Sequence, residues 1–155
     1  MPACSNCNSS VKGAVPFNLD DHVHPYVNEK QTNEFAFDYS LSSSGKDYRI
    51  YVKKTIFNRD KAVKTLEEMY INEVYSSHQS ELEDLLKIKK NYSNAYLKNI
   101  QALTKGKLNP KEVYRLLFGV EYDVKDFHKL PLSKFKFDIL KRLKMLDDIT
   151  KALKS

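Results

Sequence analysis

The sequence predicts a mainly α-helical protein with a small β-hairpin, an α+β chain: a helical bundle or helical hairpin of about four helices behind an extended N-terminal arm. Three observations carry this reading. Residues 60–105 contain neither glycine nor proline, and the whole chain of 155 residues has only 4 Gly and 5 Pro. Residues 34–41 and 47–54 alternate apolar and polar side chains around a Ser-Ser-Ser-Gly-Lys turn. Residues 109–118 and 133–153 open on helix-starting residues and carry apolar side chains at helical spacing. The expected organisation is an arm over 1–33 and one domain over 34–155, divided into a hairpin (34–57), a long or broken helix (58–105), a short helix (109–118) and a C-terminal helix (133–153).

The arm is polar and aperiodic, with Pro2, Pro16 and Pro25 among several Asn and Ser, so it needs an outside tether: a metal, the body of the domain or a neighbouring subunit. In the first strand Phe35, Phe37, Tyr39 and Leu41 share one face; in the second, Tyr48, Ile50 and Val52 do. This period of two marks a half-buried hairpin. Two strands alone are marginal in water, and no third strand is evident, so a helix or another subunit must cover the aromatic face.

Asn58 or Asp60 caps the long stretch that follows. At 100° per residue, Ala62, Val63, Leu66, Met69, Tyr70 and Val74 form one stripe, and Leu82, Leu85, Leu86, Tyr92, Tyr96, Ile100 and Leu103 another. On a straight helix the stripes lie about 120° apart. The polar junction at residues 76–80, where Ser80 and Glu83 have capping-box form, is therefore the expected place for a break. The alternative is one rod of about 69 Å, whose halves meet different partners. Gly106 suits a helix end, and Asn109-Pro110-Lys111-Glu112 supplies a cap, Pro at the first position and Glu at the third. Gly119 closes that helix. Pro131 and Ser133 open the last one, whose Phe135, Ile139, Leu143, Leu146, Ile149 and Leu153 form a single stripe.

Two constellations could carry chemistry. Cys4-x-x-Cys7 with His22-x-His24 supplies the ligand types and number for a structural tetrahedral zinc. The two imidazoles on an extended segment are about 7 Å apart, so both reach one ion only if the backbone bends near Pro25. The competing reading is a solvated tail with two reduced thiols. The second constellation is basic. Residues 85–111 contain seven lysines and no acid, whereas residues 1–84 carry 9 Lys/Arg against 13 Asp/Glu, within a net charge of +6. Lys87, Lys90, Asn94, Lys98, Gln101 and Lys105 recur every three or four residues, and with Lys141 and Lys144 of the last helix they could follow the phosphates of a nucleic acid or another anionic partner. An ordinary solvated helix face has the same pattern.

Residues 110–130 resemble helix–turn–helix sequences, with residues 112–120 followed by a would-be recognition helix at 124–130. Asp123 and Asp126 would then lie near DNA, and no Arg, Asn or Gln stands there to read base edges, so a simple helical connection is preferred. No glycine-rich phosphate loop, G-x-S-x-G or HExxH motif occurs. His78 and His128 stand alone, and no catalytic residues, cofactor-binding residues or small-molecule substrate are expected.

The functional expectation is a non-enzymatic structural or adaptor subunit of a larger assembly, contacting other protein subunits in multiple copies. Eight aromatics between Phe17 and Phe57 exceed what a small hairpin can bury, and aromatics favour interface centres. Lysine in excess of arginine, with many Asn and Tyr, suggests AT-rich coding and hence a phage virion component, of connector or capsid-accessory type. The alternative is a basic nucleic-acid-binding accessory protein. No signal or membrane-spanning segment is recognised, so the expected location is cytoplasmic or within a virion.

Overall fold

The computed structural model describes residues 18, 20–23, 35–54, 60–91, 93–103 and 108–152. The protein is mostly helical with one two-stranded antiparallel hairpin, and it divides into two compact units, Met1–Gln79 and Ser80–Ser155. The division falls at the polar junction where a break was expected.

In the first unit, β1 (Phe35–Leu41) pairs with β2 (Tyr48–Lys54) in a register running from Phe35 opposite Lys54 to Leu41 opposite Tyr48. Gly45, at φ 69°, makes the turn, and Ser42 N donates to Asp47 O at 2.8 Å. The aromatic face is covered by a helix, one of the two expected solutions. Phe37 and Ile50 are buried, and the Phe37 ring lies 4.2 Å from that of Tyr75 on α2 (Ile71–Ser76). Asn72 of α2 and Gln79 just beyond it also reach the outer edge of β2. Val52 N donates to Asn72 Oδ1 at 2.8 Å, and Gln79 Nε2 donates to Tyr48 O at 3.0 Å. Side chains thus satisfy backbone groups that an edge strand leaves unpaired.

Helix α1 (Asp60–Glu68) buries Ala62 and Leu66. It ends about two turns before the expected break, where Tyr70 adopts a left-handed conformation with φ 47°. A non-glycine residue there is strained. The turn redirects the chain so that Asn72 and Tyr75 reach the hairpin, contacts that a straight continuation of α1 has no reason to make.

The second unit contains α3 (Gln79–Asn91, from its second residue), α4 (Asn94–Leu103), α5 (Pro110–Phe118), a 3-10 helix (Val124–Lys129), α6 (Ser133–Arg142) and α7 (Met145–Ala152). Helix α7 touches α4, α5 and α6. Its core includes Leu82, Leu85, Val113, Tyr114, Phe135, Ile139, Leu140 and Met145. The cap of α5 is as expected: Asn109 accepts from Lys111 N and Glu112 N, Glu112 Oε2 accepts from Asn109 N at 2.7 Å, and Gly119 ends the helix at φ 66°.

Two expectations need correction. Over the described residues of 60–103 the stretch is neither one rod nor two helices but four, interrupted at Met69–Tyr70, at Ser77–His78 and at Ser93. The single helix over 133–153 is two, interrupted where Lys144 takes φ 59°. Tertiary burial explains the latter. Leu140 and Met145 are both fully buried, yet on an unbroken helix they would point about 140° apart.

The segment likened to a recognition helix is a 3-10 turn of six residues. Phe127 packs on Phe137 at 5.2 Å, and Asp123 Oδ2 accepts from Lys111 Nζ at 2.7 Å. Tyr114 lies beside Phe118 and Tyr122, with ring centroids 5.0 and 5.2 Å away. Its hydroxyl is buried without a hydrogen-bond partner, and burial pushes its pKa upward. An unpaired buried hydroxyl is unfavourable by about 1–3 kcal/mol. Tyr114→Phe is therefore expected to leave stability unchanged or raise it by about 1 kcal/mol, measured by denaturant unfolding; a loss of that size would show that the hydroxyl has a partner.

Candidate interaction surface

The second stripe, predicted as one row, is divided between α3 and α4. Its α3 part enters the core through Leu82 and Leu85. On α4, Ile100 is half-buried, while Tyr96 is 44% exposed and Leu103 82%. Ser93 explains the change of direction, since its Oγ accepts from Tyr96 N at 3.1 Å and so caps a new helix. That Ser before an apolar run was the sequence signal for this break.

Every side chain of α4 described as exposed is uncharged: Ala95, Tyr96, Asn99, Ala102 and Leu103. Tyr96, Ile100 and Leu103 fall within an arc of about 60°. Leu116 of α5 is a further exposed apolar side chain, at 63%. Sequence periodicity identified Tyr96, Ile100 and Leu103 as a row without saying what covers it.

The predicted lysines divide between two places. Lys87 and Lys90 stand exposed on α3, and Lys87 Nζ lies 3.2 Å from Asp84 Oδ1. Lys141 and Lys144 stand exposed at the α6–α7 turn. Lys141, in the last turn of α6, also offsets the negative end of the helix dipole. The side chain of Lys98 and all of Lys105 lie outside the described residues. Glu81 Oε2 and Lys136 Nζ, 2.7 Å apart, link α3 to α6.

Of the predicted zinc set, Cys4, Cys7 and His24 lie outside the described residues. His22 is buried in the first unit, with Nε2 2.7 Å from Glu68 Oε2 and Nδ1 3.2 Å from Asn18 O. Both ring nitrogens are therefore turned toward protein groups. Among the described residues no group of three or more His, Cys, Asp or Glu could hold a metal ion. The described part of the arm is tethered by the body of its own unit. Val23 is buried, and its N–H donates to Thr65 Oγ1 at 2.8 Å. Asp21 lies 3.2 Å from Lys64 Nζ, and its carboxyl is held below the usual range by the Asn18 side-chain amide and then by Lys64.

Thr65→Val keeps the shape but removes the acceptor, so it should free the 20–23 segment at a cost of about 1–3 kcal/mol in local opening. Faster hydrogen exchange at the Val23 amide would report this; unchanged exchange would show that the bond does not hold the arm.

No protein-family model, curated protein or solved structure matches this chain. Function is therefore argued from sites, not from kinship. His78 packs edge-on against Tyr75 at 5.6 Å, which gives it a packing role. Among the described residues no helix is long and apolar enough to cross a membrane.

Proposed function

We propose that this protein is a non-enzymatic structural or adaptor subunit of a larger assembly, with the helices of its second unit forming a bundle that presents α4 to a partner. The exposed side chains of Ala95, Tyr96, Asn99, Ala102 and Leu103 on α4 carry the proposal. Solvated helices place charge outward, and an apolar row left in water marks a contact surface. A virion component of connector or capsid-accessory type is the specific form supported by the lysine-, asparagine- and tyrosine-rich composition.

Native mass spectrometry and crosslinking in the source lysate test this. The expected result is a specific complex, or self-association, that Leu103→Asn weakens. A strict monomer at all concentrations with no crosslinked partner would overturn it.

One observation favours a second reading, nucleic-acid binding. The first unit has 9 Lys/Arg and 10 Asp/Glu, the second 17 and 10, so the positive charge is concentrated in the second. Gel shifts at two salt concentrations decide: phosphate contacts by lysine require affinity to fall steeply as salt rises.

A further inference from the structure

No further inference is drawn: the strongest candidate, the exposed α4 face at Tyr96 and Leu103, belongs to the surface already proposed for assembly, and nothing in the structure shows what covers it.

Discussion

Replacing Phe135 by alanine is expected to destabilise the second unit by about 4 kcal/mol, the scale for emptying a fully buried aromatic site. Phe135 has no exposed surface and sits on α6 with Ile139 and Leu140, also fully buried. Helix α6 packs on α7 and on the 3-10 helix, and α7 in turn touches α4 and α5. A cavity at Phe135 cannot be refilled without moving an element that several others lean on, so little relaxation is available. A typical domain is stable by only 5–15 kcal/mol, so this change should expose α6 and α7 amides to much faster hydrogen exchange. Leu116→Ala is the control. Leu116 also stands in an amphipathic helix, but it is 63% exposed, and its truncation should change stability by no more than about 0.5 kcal/mol. Equal effects at the two positions would mean that the core has been placed wrongly.

Local signals were legible and long-range ones were not. The hairpin declared itself because alternation over 35–41 and 48–54 needs no knowledge of the rest of the chain, and the Asn109–Glu112 cap is complete within four residues. The breaks at Tyr70 and Lys144 carry no such mark. Each places a non-glycine residue at positive φ, a conformation its own sequence does not favour and that only packing elsewhere sustains. Periodicity likewise identified Tyr96, Ile100 and Leu103 as one face but could not say what covers it. Amphipathicity reports which residues avoid water, not whether the partner lies in the same chain. His22 shows the same limit: sequence grouped it with His24, and it also lies against Glu68, 46 residues away.

Lys134→Ala is expected to destabilise the second unit by about 3 kcal/mol, at the lower end for breaking a buried ion pair because the lysine is partly wetted. Lys134 Nζ lies 2.9 and 2.6 Å from the two oxygens of Asp138, with side-chain exposures of 18% and 7%. Asp138 lies next to Ile139 on α6, and removing the ammonium takes the ion-pair partner from a buried carboxylate. The reverse change, Asp138→Asn, should do less, since a long lysine stem can carry its charge outward. The pair Lys134→Met with Asp138→Leu should be nearly neutral, because the attraction of a buried pair mainly offsets its own desolvation. Measured by denaturant unfolding at low and high salt, the Lys134→Ala loss should persist, as screening acts weakly on shielded charges. The exposed Lys87–Asp84 pair, at 69% and 66% exposure, should give no measurable loss at either salt. If Lys134→Ala proved as harmless as Lys87→Ala, Asp138 would have to be far better hydrated than its burial allows. If the double replacement proved as damaging as the single, the pair would be specifying the packing of α6 and not merely compensating its own charges.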